Sequence, residues 1–241
     1  CFNLSKVEIP KNSNLQTIET NTFSNSSIEE ISIPSSVTKI CEYAFYNCKN
    51  LIKVSIPMSS NLQTIESYAF SESAIEEISI PSSVTKICES AFDRCENLIK
   101  VSIPTNSNLQ TIERCAFSES AIEEIYFPKS LIELEKGWCG VINNLRKIII
   151  SPSNEQFIFK DDKYLLGKSD QNVNEFDILL FVSRDIKNIS IPSNIKIIES
   201  CSFQNSSIED ISIPPSVTKI CELAFDCCEN LRKISIPTNS N

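Results

Sequence analysis

The nine-residue string Ile-Pro-Ser-Ser-Val-Thr-Lys-Ile-Cys stands at Ile33–Cys41, recurs unchanged at Ile80–Cys88, and returns with one substitution at Ile213–Cys221. The first two copies lie 47 residues apart, and each 47-residue block divides into two looser units of 23 and 24 residues. A unit this short cannot bury an apolar face alone, whereas stacked copies bury one continuously. The period therefore predicts a stack of short turns. It points to binding by an extended surface and away from catalysis in a pocket.

The two unit types alternate. Pro34–Ile56 reads Pro-x-x-Val-x-x-Ile-Cys-x-x-Ala-Phe-x-x-Cys-x-x-Leu-x-x-Val-x-Ile. Pro57–Ile80 gains two residues after its proline and loses one after its phenylalanine, so both places are expected to be turns. The stretch Leu51-x-x-Val54-x-Ile56 ends in apolar alternation, which reads as a strand, with Val54 and Ile56 facing inward and Lys53 and Ser55 outward. The following proline cannot donate to a ladder and ends it. Val37, Ile40, Ala44 and Phe45 are expected to form the opposite wall.

The set Leu51, Val54, Ile56, Pro57, Leu62, Ile65, Ala69 and Phe70, repeated over nearly the whole chain, resembles the BspA-like leucine-rich repeats of bacterial and protist surface proteins, the Treponema type. The resemblance implies a right-handed leucine-rich-repeat horseshoe of about ten units. A parallel sheet would line its concave side, and turns with short irregular or helical segments its convex side. It further implies a cell-surface adhesin or antigen. Cys41, Cys88 and Cys221 stand where such repeats carry glycine, so that turn is expected to be less left-handed.

One stretch departs from the rhythm. After Pro128, Ala-Phe becomes Trp138-Cys139, and Ser151–Lys187 breaks the period. Phe157–Leu166 around Asp161-Asp162 reads as a hairpin, followed by a polar loop at Gly167–Glu175 and a strand at Phe176–Val182. At 37 residues the insertion is too short for a comfortable core of its own, so residues 1–241 are expected to form a single solenoid. Cys1–Pro10 aligns with Cys48–Pro57, which reads as an excerpt of a longer protein.

Composition narrows function. The net charge is −9, which opposes nucleic-acid binding. There is no histidine, and the three glycines (Gly137, Gly140, Gly167) form no phosphate loop. No apolar run approaches the roughly 18 residues of a membrane span. The carboxylate pairs Glu29-Glu30, Glu76-Glu77 and Glu123-Glu124 recur with the period, unlike a catalytic dyad, and read as solvated rim charges whose members point to opposite sides. No catalytic residue, metal ligand or cofactor is assigned; a hydrolase built on the insertion would lack a unique nucleophile–base pair. The eleven cysteines contain no C-x-x-C spacing for zinc and read mostly as small buried groups, with a Cys88–Cys115 bridge left open.

In stacked parallel strands, the outward column Lys6, Glu30, Lys53, Glu77, Lys100, Glu124, Lys147 alternates in sign at every step. Each exposed pair is worth about 0.2–1 kcal/mol. The face is thus expected to be nearly neutral, with Ser32, Ser55, Ser79 and Ser102 as a polar row beside it. Beyond the insertion the column becomes Asn188, Asp210, Lys233 and loses its alternation. Irregularity on a regular scaffold makes Tyr126, Lys147, Ile149, Asn188, Asp210 and the loop Gly167–Glu175 the candidate partner-binding positions. Of the sequons at Asn3, Asn25, Asn188 and Asn205, the equivalent Asn25 and Asn205 are the candidate glycan acceptors. The expected partner is a protein or extracellular-matrix ligand, including one on a host cell surface. An intracellular scaffold is the alternative. A monomer is expected, with exposed ends that favour end-to-end association.

Overall fold

The structure is a computed structural model in which residues 2–170 and 172–236 are described. It is a parallel β-solenoid of about nine turns. Six strands, Glu30–Ser32, Lys53–Ser55, Glu77–Ser79, Lys100–Ser102, Glu124–Phe127 and Lys147–Ile150, form one parallel sheet. Six two-residue return strands, Thr17–Ile18, Lys39–Ile40, Thr64–Ile65, Lys86–Ile87, Thr111–Ile112 and Glu133–Leu134, form a second. Between them lies the apolar interior, in which Val37, Ile40, Ala44, Phe45, Leu51, Ile65, Ala69 and Phe70 have no exposed surface. Among the described residues there is no helix, so the expected irregular or helical segments are turns throughout. Accordingly, no helix is long and apolar enough to cross a membrane.

The Ala-Phe turns stack by the same logic as the strands. The N–H of Phe45 donates to Ala69 O at 2.7 Å and that of Phe70 to Ala91 O at 2.8 Å. The rings of Phe23, Phe45, Phe70, Phe92 and Phe117 follow at centroid spacings of 5.3, 5.0, 5.4 and 5.5 Å. Identical residues at one strand spacing give this offset stack without adjustment.

Each such turn needs two left-handed residues, and the chain fills them almost without glycine. Tyr43 and Asn47, Tyr68 and Glu72, Ser90 and Arg94 all have φ between 53° and 59°; Gly137 is the one glycine so used. Cys41, Cys88 and Cys221 are not left-handed; the handedness sits two and six residues further on. Neighbours in the column offset the strain. Tyr43 stacks on Tyr68 at 4.9 Å, Asn47 Nδ2 donates to Asn25 Oδ1 at 2.7 Å, and Lys49 pairs with Glu72 at 3.0 Å. Val141, β-branched at φ 52°, has the least favourable side chain for this backbone. Val141→Gly is expected to raise stability by about 1 kcal/mol, seen as a higher melting temperature. A fall would show that Val141 packing outweighs its strain.

The insertion forms three antiparallel strands, Phe157–Lys160, Tyr164–Gly167 and Ile178–Val182, as the alternation predicts. Asp161 and Asp162, at φ 56° and 53°, make the hairpin turn. Gly167 is required by closeness: a Cβ there would lie 2.7 Å from Leu180 Cδ1. The third strand pairs in parallel with Ile197–Ile198, which pairs with Lys219–Ile220. The layer thus separates two apolar clusters. Phe157, Leu165, Leu180 and Phe181 join the first, while Tyr164, Leu166, Leu179 and Val182 join the second. At the approach to it, Trp138 and Cys139 exchange the sizes of Ala and Phe, and Trp138 meets Phe127 edge-on at 5.5 Å.

Arg184 locks this junction. It is only 5% exposed, yet among the described residues no carboxylate pairs with it. Nη1 donates to Ser202 O at 2.9 Å and Val182 O at 3.3 Å, Nη2 to Cys201 O and Nε to Ile142 O, each at 3.3 Å. The guanidinium carbon lies 4.6 Å from the Phe181 ring centre. Burial holds its pKa below the ordinary arginine value.

Candidate functional site

The ladder column is in register: Glu30 pairs with Lys53, Lys53 with Glu77, Glu77 with Lys100, Lys100 with Glu124, and Glu124 with Lys147. The ion pairing is sparser than the alternation implies. Lys147–Glu124 closes at 2.7 Å and Lys100–Glu77 at 3.8 Å, whereas Lys6 turns to Glu8 on its own segment. Pairs at least as close lie elsewhere, at Lys39–Glu66 (2.7 Å) and Lys86–Glu113 on the return side. Exposed lysines are long enough to choose among acids, so register alone does not fix the partner.

A second column stands beside the ladder, and its Arg146 follows its three glutamates one turn on, so the face stays nearly neutral. Glu29, Glu76 and Glu123 are exposed together with Glu30, Glu77 and Glu124. Glu76 and Glu77 line one groove and Glu123 and Glu124 another, so the paired carboxylates do not point to opposite sides. The reason is local: each strand begins at the second glutamate, and the first precedes the alternation. In the intervening turns, Ile52 and Ile99 hold the position of the first glutamate and are 50% and 54% exposed.

The result is one groove built twice. The first, about 970 Å³, gathers Ile52, Lys53, Ser55, Glu76, Glu77 and Ser79. The second, about 560 Å³, gathers the equivalent Ile99, Lys100, Ser102, Glu123, Glu124 and Tyr126. An apolar floor beside lysine and two carboxylates suits recognition of an amphipathic chain.

The anticipated positions fall into two groups. Tyr126 and Ile149 are register partners, Lys147 pairs with Glu124, and Tyr126 closes the second groove. Asn188 is exposed and outside any strand, and Asp210 lies on a separate two-stranded sheet with Lys233. The insertion stands between the groups, and among the described residues no strand pairing joins them. Of the loop Gly167–Glu175, Gln171 lies outside the described residues. Buried Asp177 anchors this loop, accepting bonds from Ser169 N and Oγ, both at 2.8 Å. Burial acts to raise the Asp177 pKa, but the Ser169 bonds and Lys196 outweigh it and hold the carboxyl below its usual value. Asn25 and Asn205 share the left-handed turn position at φ 56°; Asn205 Nδ2 donates to Asn143 at 2.7 Å.

The ten described cysteines are free thiols; Cys1 lies outside the described residues. They do more than fill space. Cys48, Cys95 and Cys228 Sγ donate to the carbonyls of Phe23, Phe70 and Phe203 at 3.1, 3.1 and 3.0 Å. Burial pushes Cys88, Cys95 and Cys139 up to about 12, which keeps these thiols protonated at neutral pH. Cys48, Cys95 and Cys228 thus serve as donors within the stack.

Ile52 and Ile99 were absent from the anticipated site, although a signal existed. Each is an apolar residue directly after the buried Leu51 or Leu98, one more than an alternating strand needs. Arg184 offered no such signal.

A family model described as "BspA type Leucine rich repeat region" matches residues 1–99, 63–161 and 171–241, in six copies. No curated protein matches the chain. Among solved structures, the pneumococcal vaccine antigen PcpA is similar at 26% identity and a TM-score of 0.83, over 92% of this chain and 56% of that one. A leucine-rich cell surface protein from Faecalibacterium prausnitzii is similar at 20% identity and a TM-score of 0.61, over 94% and 84%. A leucine-rich repeat protein from Eubacterium ventriosum follows at 19% and 0.62, over 88% and 61%. The chain thus spans little more than half of the antigen's own length.

Proposed function

Because this chain belongs to the BspA-type leucine-rich-repeat family, we propose that it is a non-catalytic binding segment of a cell-surface protein, of adhesive or antigenic kind. Its partner is a protein or extracellular-matrix ligand, including one on a host cell. The observation that carries this reading is the groove formed twice on the ladder face, with Ile52 or Ile99 exposed beside lysine and glutamate. Exposed isoleucines contribute little to the fold, and repeated apolar exposure on one face marks interaction surfaces. Likeness to a vaccine antigen supports a surface location. Tyr126, Lys147 and Ile149 extend the same face toward the insertion and belong to the proposed surface.

The test is binding of the 241-residue chain to intact host cells and to cell-free extracellular matrix, against the variant I52S/I99S/Y126S. Binding is expected to fall at least tenfold, and the double variant I52S/I99S, which keeps the half-buried Tyr126, is expected to weaken binding with an unchanged melting temperature. Equal binding by wild type and variant would move the site off this face.

A further inference from the structure

We propose that the ladder face takes a cationic segment in the polyproline II conformation, laid along the solenoid axis across the strands. This rests on reading that face as the binding surface, and it names the chemistry of the ligand.

The argument is one of spacing. Ile52 and Ile99 lie two turns apart in the stack, as do Glu29, Glu76 and Glu123 in the alternate turns. Parallel strands at about 4.8 Å make each of these intervals about 9.6 Å. A polyproline II helix completes a turn in three residues and about 9.3 Å, so its residues i, i+3 and i+6 face one side almost in step with the sheet. Over three glutamates the accumulated mismatch is about 0.6 Å. Other backbones fall out of step. An extended strand presents like-facing residues every 6.8 Å or so. A helix returns to the same face after seven residues, about 10.5 Å.

Along Glu29, Ile52, Glu76, Ile99 and Glu123 charge selects the sign, and Arg146 bounds this acidic run at the next turn. Glu29, Glu76 and Glu123 form no side-chain ion pair among the described residues. Lysine or arginine at every third position would meet them in turn. The peptide backbone between successive lysines would pass over Ile52 and Ile99, which lie half a period from the acids. A polyproline II chain has no internal hydrogen bonds, and the Ser55 hydroxyl in the groove can donate to its free carbonyls.

The experiment uses fluorescence anisotropy with the 241-residue chain and three labelled dodecapeptides: (Pro-Pro-Lys)4, a block isomer with four consecutive lysines and eight prolines, and (Pro-Pro-Glu)4. The periodic cationic peptide is expected to bind at least tenfold more tightly than its isomer, and the acidic one not at all. The variant E29Q/E76Q/E123Q is expected to lose at least tenfold, and I52S/I99S a comparable factor, both with wild-type melting curves. If melting of the triple variant changes, E76Q alone supplies the readout. Equal binding of both cationic peptides would overturn the proposal, since attraction without register would then explain it. Failure of every peptide, while the chain still binds cells through the ladder face, would overturn the ligand chemistry and leave the binding face standing. Loss of cell binding as well would remove both.

Discussion

Arg184→Ala is expected to lower the stability of the chain by about 3–5 kcal/mol, the largest effect of any surface-class residue in the sequence. The side chain gathers carbonyls of Ile142, Val182, Cys201 and Ser202, which come from three segments around the insertion. Truncation orphans most of those oxygens and opens a cavity against Phe181. Arg184→Lys is expected to recover little, because a single ammonium cannot fan out to four carbonyls as the planar guanidinium does. If lysine restores wild-type stability, the charge matters and the geometry does not. Urea midpoints give the magnitude. Hydrogen exchange gives the location: protection is expected to fall first at Ile197–Ile198 and Lys219–Ile220, which are held to the remainder through the insertion layer.

Phe70→Ala is expected to cost a similar 3–5 kcal/mol. Phe70 is fully buried and stacks on Phe45 at 5.0 Å and on Phe92 at 5.4 Å, so its loss removes two ring contacts and leaves a void in mid-column. In a quasi-one-dimensional stack such a void also weakens coupling between the layers on either side. Unfolding is therefore expected to broaden in denaturant as well as shift. Phe225→Ala should cost less, since Phe225 is half-buried and stacks on Phe203 alone, at 4.8 Å. Equal costs at the two sites would mean that the ring column contributes by area alone, without coupling between layers.

How much of this could be read from the chain depended on whether a residue's role was periodic. Leu62, Ile65, Ala69 and Phe70 declare their burial because every neighbouring unit repeats them. The insertion strands were legible from alternation, and the charge column from its position beside them. Ion pairing within that column was not, because side-chain rotamers choose between same-strand and cross-strand acids. The left-handed turn positions were hidden for a different reason. Tyr43, Arg94 and Leu223 carry no local signature for positive φ; Tyr43 and Arg94 tolerate it through contacts in the stacked column. Arg184, between Ser183 and Asp185, reads as an ordinary exposed cation. Its burial comes from segments 42 and 18 residues away, which no local pattern encodes. At the candidate site, Tyr126, Lys147 and Ile149 meet on one face, but Asn188 and Asp210 share only a column in the alignment and stand beyond the inserted layer.

That inserted layer has a further consequence for how the chain finds its fold. Nearly identical turns can mispair: sliding one block by 47 residues would set Ile33–Cys41 where Ile80–Cys88 belongs, with apolar positions still inward and ladder signs still opposed. Such a slipped stack has little to penalise it within the repeats themselves. The penalty arises where the sequence is unique. Trp138 fits against Phe127 and Phe181, Gly167 admits Leu180, and Arg184 reaches its four carbonyls only when each turn occupies its own place. The irregular segment thus acts as the index mark of a repetitive molecule, from which every other turn takes its number.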